Sequence, residues 1–230
     1  MNKQFDAVIA AGVKLQSQLP WMQLVAVGGT ATALHAGHRF SHDVDFVTRD
    51  LRGQFDQVLG QLDEWSEWKT NRVQRPVLIL GEANRIELGL RQQRREKPID
   101  SIVKQGLRIP TIEECFKIKA YLLAQRNAVR DFVDTCALLD LVGEERATSL
   151  LEEMDLDSPP IDQLSNTAHF AQNVRQSPVD LAAIDLRNYR GIQGPYDNWQ
   201  YVQDRLRTVS ATLEKKRLEK LPKGKIGHEP

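Results

Sequence analysis

The chain of 230 residues predicts an α+β protein, with strands and helices mixed up to about residue 110 and helices alone after it. Three observations carry that prediction. Short alternating or apolar segments punctuated by glycine are confined to the first half. Apolar residues at helical spacing fill the second half. Pro110-Thr111, where the character changes, is itself a helix-start signal.

The elements follow in order. Residues 2–18 set Phe5, Val8, Ile9, Val13 and Leu15 among polar positions as a helix, which Pro20 ends. Residues 21–27 read as a short apolar strand closed by Gly28-Gly29, and residues 30–36 as a short helix stopped by Gly37. In residues 42–47, Val44 and Phe46 alternate with Asp43 and Asp45, the pattern of a strand with one polar face. Residues 51–68 return to helical spacing. Residues 77–80 and 85–90 read as two strands around Gly81-Glu82-Ala83-Asn84, and another extended piece is expected near 102–109. Thr111 caps a helix running to about Asn127, with Glu113 and Glu114 in its favoured first turn. Further helices are expected at 129–142, 147–153, 161–175, 178–186 and 198–220. Two domains follow, 1–110 and 111–230, with the last ten residues expected to be loose.

Composition narrows the function classes. With 41% hydrophobic and 27% charged residues the chain is neither disordered nor a membrane protein by composition. The longest apolar run, Ala7-Val8-Ile9-Ala10-Ala11-Gly12-Val13, is far short of the roughly 20 residues of a membrane span. Lys3, Asp6 and Lys14 around it do not fit a secretory signal. Cys115 and Cys136 sit in helical patterns, so a reducing, cytoplasmic setting without structural zinc is expected. The 31 basic and 31 acidic side chains argue against indiscriminate coating of nucleic acid. That balance is a cancellation, however. Residues 131–163 hold ten acids and one base, residues 85–108 seven bases and three acids, and residues 205–225 eight bases and two acids. A selective polyanion partner remains open, its backbone running over the basic segments.

The most informative stretch is Val27-Gly28-Gly29-Thr30 followed by Ser41-His42-Asp43-Val44-Asp45-Phe46. Carboxylates at i and i+2 on a strand project from one face and repel unless a cation joins them. Hard oxygen ligands so placed suit Mg²⁺, which takes one or two carboxylates plus phosphate oxygens and water. The glycines let backbone approach a phosphate, the helix start offers free N–H groups, and Thr30 adds a hydroxyl. An ordinary glycine turn beside a solvated strand face is the plain alternative. Lys119 and Arg126 are seven residues apart, two helical turns, and so share a face. Such a stripe could hold the phosphates of a nucleotide, lysine as a point charge and arginine as a fork, or be a solvated surface.

The stretch from Gly28 to Phe46 resembles motif I of the nucleotidyltransferase superfamily, in which glycine-rich residues precede an Asp-x-Asp strand. Gly-Gly-Thr-Ala, then Gly-His-Arg and Ser-x-Asp-x-Asp, is similar to the AbiEii/AbiGii toxin family. Glu114, Lys119, Arg126 and Arg130-Asp131-Phe132-Val133-Asp134 match that family's later pattern. The resemblance implies a nucleotidyltransferase-fold mixed sheet with flanking helices, followed by an all-helical C-terminal domain. It implies transfer of a nucleoside monophosphate from an NTP to an acceptor hydroxyl, with Asp43 and Asp45 holding Mg²⁺ or Mn²⁺. Gly28, Gly29 and Thr30 would bind phosphate, and Lys119 and Arg126 would clamp the tail. Glu87, alternating with Ile86 and Leu88, is the candidate third carboxylate, acting as general base or second-metal ligand. An exposed strand glutamate fits its pattern equally. Asp134 is expected to give structural support, and Asp131 either orients the cations or favours a helix N-terminus.

The toxin half of a toxin–antitoxin or phage-defence pair is the implied role, with tRNA or other RNA as first acceptor and a cognate antitoxin as partner. A protein or an aminoglycoside-like small molecule is the alternative acceptor, and a catalytically silent nucleotide- or partner-binding module the alternative class. Other residues carry less. His38 and His42 are spaced for zinc only if one helix holds both, which Gly37 and Ser41 oppose; the family resemblance implies instead that His38-Arg39 belongs to the turn beneath the phosphate site. Trp65 and Trp68 fit core packing, and Tyr189, Tyr196 and Trp199 fit the stapling of a glycine-containing loop.

Overall fold

The computed structural model describes residues 3–220; the segment 221–230, expected to be loose, lies outside the described residues. Helix α1 (Lys3–Gln18) leads into strand β1 (Val25–Val27), helix α2 (Gly28–Ala36), strand β2 (Asp43–Thr48) and helix α3 (Leu51–Asp63). Strands β3 (Trp68–Gln74), β4 (Leu78–Ala83) and β5 (Ile86–Gln92) follow as a meander, then a separate hairpin of β6 (Ser101–Lys104) and β7 (Leu107–Pro110). The main sheet has the order β1-β2-β5-β4-β3, with β2 and β5 parallel and the other neighbours antiparallel. It is a mixed sheet, as expected.

Alternation along the strands decides which face each side chain takes. Val44 and Phe46 of β2 lie beside Leu88 and Leu90 of β5, and all four are buried. Helix α1 covers this face: a Cβ on Gly12 would stand 3.0 Å from Leu107, 3.4 Å from Val44 and 3.5 Å from Phe46, so the helix approaches backbone-close at that point. Phe55, Val58 and Leu62 of α3 join the same core. The opposite face of the sheet carries Asp43 and Asp45, half-buried, and Glu87, exposed.

No strand among the described residues follows Pro110. Helix α4 (Ile112–Arg126) starts at Thr111, whose hydroxyl accepts from the Glu114 N–H, and ends at Asn127 in the left-handed conformation. Helix α5 (Val129–Val142) is buried along most of its length and packs against α4, α2 and α8 (Trp199–Lys220). Helices α6 (Glu144–Asp157) and α7 (Asn166–Arg175) complete the bundle around α4. One hydrophobic cluster runs through both halves, from Phe5 to Leu213. Because α2 touches α4 and α5, the glycine turn that begins it is held from both sides of residue 110.

Five expectations need correction. The turn expected at Gly81-Glu82-Ala83-Asn84 is tighter, because Gly81–Ala83 pair within β4 and Asn84-Arg85, both at positive φ, make a two-residue turn. The strand expected at 21–27 is shortened to β1, because Pro20–Met22 forms a 3₁₀ turn and Gln23 sits at positive φ. The helix expected at 51–68 stops at Asp63, and Trp68 opens an edge strand. The Trp65/Trp68 spacing imitates a helix, yet the two indoles stack across the loop at 6.1 Å, and Trp68 lies over Gly81 of β4. The helix expected at 178–186 is two 3₁₀ turns, since Val179 is exposed and the segment has no continuous apolar face to bury. The helix expected from 161 begins at Asn166, where Ser165 caps it by accepting from the Ala168 N–H.

Gly81 gives a direct test of the strand pairing. A Cβ there would enter the Trp68 ring and stand 2.7 Å from the Lys69 carbonyl. Gly81→Ala should destabilise the fold by about 1–3 kcal/mol through overpacking, measured as a lowered urea midpoint by circular dichroism.

Candidate active site

Strand β1 ends at Val27, and Gly28, at φ +72°, turns the chain directly into α2. A Cβ on Gly28 would stand 3.8 Å from Asp45 Oδ2, so the start of α2, with its unpaired N–H groups, lies over that carboxylate. Gly29 answers to a different neighbour. Its Cβ would stand 2.8 Å from an Arg39 terminal nitrogen and 3.0 Å from Ser41 Oγ. The second glycine therefore admits a buried guanidinium beneath the turn. Thr30 is buried, and its hydroxyl donates to the Asp43 carbonyl at 2.6 Å, tying the helix start to β2. That bond, rather than a ligand contact, is where the structure places the Thr30 hydroxyl.

The register of the parallel pair assembles the acids. Asp43 is the Cα partner of Glu87, and Asp45 that of Gly89. All these positions face away from the α1/α3 core, so Asp43, Asp45 and Glu87 share one sheet face. Gly89 is needed there: its Cβ would be 2.7 Å from Asp45 Oδ1. Ser41 Oγ donates to Asp43 Oδ1 at 2.8 Å, and Arg91 Nε donates to Asp45 Oδ1 at 3.2 Å. Among the described residues no three His, Cys, Asp or Glu side chains enclose a metal position by themselves. Two carboxylates on a strand, under a helix start, nevertheless suit a hard cation whose other ligands are phosphate and water. The residues present fit Mg²⁺ or Mn²⁺ in that sense.

Below this face lies a second cluster. Asp134, on α5 and fully buried, accepts three hydrogen bonds and pairs with one ammonium. His38 Nε2 (2.8 Å) and Arg39 Nε (2.7 Å) donate to Oδ1, while an Arg39 terminal nitrogen (2.7 Å) and Lys119 Nζ (2.7 Å) reach Oδ2. Burial opposes the charge, but Arg39 and Lys119, with the His38 bond, hold the Asp134 carboxyl well below the usual range. Burial lowers the pKa of His38 despite its Asp134 partner, so the ring is neutral and donates from Nε2. The support expected of Asp134 is thus a four-donor hub. Lys119 is buried and also pairs with Asp131 Oδ1 at 3.5 Å, so its ammonium is occupied inside the protein. Asp131, likewise buried, leaves Oδ2 without a hydrogen bond, with Arg130 Nε at 4.0 Å.

Lys119 and Arg126 do not form a single stripe. Arg126, at the end of α4, is at the surface. Partial desolvation lowers its pKa; Arg130 and Arg91 act the same way, and Asp131 and Asp45 oppose them. Arg126 is therefore within electrostatic reach of the carboxylate face, whereas Lys119 sits beneath it. Glu114 turns elsewhere, buried against Arg95 and 2.7 Å from Lys117. Sequence reasoning set Arg39 in the turn beneath the phosphate site, where its guanidinium lies under Gly29, but passed over Ser41 and Arg91 as site residues. Arg39 and Ser41 lie within the quoted motif, and Arg91 follows Glu87 and Gly89 at the i, i+2, i+4 spacing of one strand face.

Two stability measurements test the hub. Asp134→Asn leaves the Arg39 guanidinium buried without its counter-ion, and Lys119 with Asp131 alone, and should cost about 3–5 kcal/mol. Because the folded pKa of His38 is below its usual value of 6.5, the unfolded chain binds the extra proton. Stability should therefore fall as pH drops through about 6.5, and His38→Gln should flatten that slope by up to about 1.4 kcal/mol per pH unit. Urea titrations at pH 5.5 and 7.5 measure both effects.

Comparison with known proteins identifies the fold and the family. The fold is similar to MenT4, a nucleotidyltransferase toxin of Mycobacterium tuberculosis H37Rv, with TM-score 0.56, 17% identity, and 96% and 85% of the two chains covered. It is similar also to JHP933 of Helicobacter pylori, with TM-score 0.54, 16% identity, and 95% and 97% covered. A curated relative, the heme uptake protein MmpL11 of M. tuberculosis, is 27% identical over 139 residues. That match spans 60% of this chain but 13% of MmpL11. No helix among the described residues is long and apolar enough to cross a membrane. Residues 22–176, which contain the carboxylate face and the hub together, match the nucleotidyl transferase AbiEii toxin family of type IV toxin–antitoxin systems, and the chain belongs to that family.

Proposed function

We propose that this nucleotidyltransferase moves a nucleoside monophosphate from an NTP to an acceptor hydroxyl, with RNA, and tRNA first, as the acceptor. The observation that carries the reading is the register of β2 and β5, which sets Glu87 beside Asp43 on the face that also holds Asp45. In the reaction the acceptor oxygen bonds to the α-phosphorus and the bond from that phosphorus to pyrophosphate breaks. The hydroxyl proton passes to Glu87 as general base. Asp43 and Asp45 would hold a divalent cation, Mg²⁺ or Mn²⁺, which would supply Lewis-acid stabilisation of the negative charge that develops in the transfer. Gly28, Gly29 and Thr30 offer backbone N–H groups to the phosphates at the start of α2.

In this reading residues 1–110 supply the carboxylates and the glycine turn, and residues 111–230 the cations. Arg126 is the clamp presented at the surface. Lys119 holds Asp131 and Asp134 and lends its charge from beneath the site. The family supports a toxin role with a cognate antitoxin protein as partner, acting in the cytoplasm, where NTPs and RNA are at hand.

The test is incubation of the purified protein with Mg²⁺, each α-labelled NTP and total RNA. Label should appear on RNA, and Asp43→Ala and Asp45→Ala should lower it by at least about 10²-fold. Label on protein or on an added aminoglycoside instead would move the acceptor. Equal labelling by wild type and both variants would overturn the metal site, and NTP binding with no transfer would mark a silent module.

A further inference from the structure

Asp45 has two claimants. Its Oδ1 accepts from Arg91 Nε at 3.2 Å, and the same oxygen belongs to the donor pair that suits a divalent cation. The contact is built into the sheet. Arg91 stands opposite Val47, one pleat beyond Gly89, and so lies diagonal to Asp45 on the carboxylate face. With no side chain at Gly89, the Asp45 carboxylate leans across β5 toward it. The pair is exposed, at 48% for Arg91 and 40% for Asp45, and Arg91 makes no other hydrogen bond among the described residues. An exposed ion pair of this kind exchanges partners at little cost.

The surroundings favour a polyanion as the other partner. Arg126 at the end of α4 is within electrostatic reach of Asp45 and Arg91, and of Arg130 at the start of α5, which stands 4.0 Å from Asp131. Three cations from a strand and two helices repel one another unless negative charge lies among them. Asp45 and Asp131 supply part of it. A triphosphate would supply more, with oxygens that a guanidinium fork matches.

We propose that Arg91 competes with the divalent cation for Asp45 and, once displaced, binds a phosphate oxygen of the NTP, so that metal and nucleotide enter together. This rests on the nucleotidyl-transfer reading. It gives one residue opposite effects on two ligands, a pattern that a purely structural ion pair would not produce.

The experiment uses the full-length protein as wild type, Arg91→Ala and Arg91→Lys, with matched circular-dichroism melts to check folding. Mn²⁺ alone is titrated and read by electron paramagnetic resonance. Each NTP is then titrated by calorimetry at saturating Mg²⁺. Arg91→Ala should bind Mn²⁺ alone about twofold to fivefold more tightly, and its best NTP roughly tenfold more weakly. Arg91→Lys should lie between wild type and Arg91→Ala in the NTP titration, as a point charge without the fork. Unchanged affinities, or affinities that shift in the same direction, would overturn the role of Arg91 while leaving the transfer reading intact. A wild type that binds Mn²⁺ but no NTP would overturn both.

Discussion

Asp134 is the interaction on which the site depends. A carboxylate with no solvent exposure is costly in a protein interior unless its oxygens are fully bonded, and here four donors meet it. Those donors come from two places. His38 and Arg39 belong to the loop between α2 and β2, and Lys119 to α4. The same guanidinium lies under Gly29, and beside it Ser41 bonds the Asp43 carboxylate. Removing the Asp134 charge would therefore disturb the glycine turn and the first acidic residue together, though Asp134 touches neither. The segment around Tyr189 reinforces the arrangement. Phe40 N–H donates to the Arg190 carbonyl, Gln193 N–H to the His38 carbonyl, and the Tyr189 ring faces Arg39.

The glycines of the site serve different ends, and their neighbours separate them. Gly28 is needed for its positive φ, Gly29 for the guanidinium below, and Gly89 for the carboxylate beside it. A glycine-rich motif thus combines a backbone turn with two close approaches of charged groups. The charge arrangement is layered in the same way. A buried layer with Arg39, Lys119, Asp131 and Asp134 is close to neutral. On the sheet face, Asp43, Asp45 and Glu87 share one side with Arg91, and Arg126 is within electrostatic reach of Asp45.

Much of the fold was legible because it rests on local periodicity. The alternation of Val44 and Phe46 with Asp43 and Asp45 set both the strand and its functional face, and Thr111 marked the start of α4. Local periodicity also misled. Trp65 and Trp68 stand three apart, as on a helix, yet they stack across a loop because Trp68 packs on a glycine of another strand. Spacing likewise placed Lys119 and Arg126 on one face. Seven residues are about 10.5 Å of helix axis, enough for one to meet α5 in the interior and the other to reach the surface.

The sequence by itself determined which side chains could do chemistry and which face of each element they occupy, because the 2.0 and 3.6 residue periods are properties of the local backbone. It also carried the family motifs, since those are strings of neighbouring residues. Only the tertiary structure decided which faces meet. The pairing of β2 with β5 joins Asp43 to Glu87, 44 positions apart in the sequence, and Asp134 meets Arg39 across a separation of 95. Such partners are selected by packing of the shared core and by the need to neutralise buried charge, forces that act through space and leave no periodic trace along the chain.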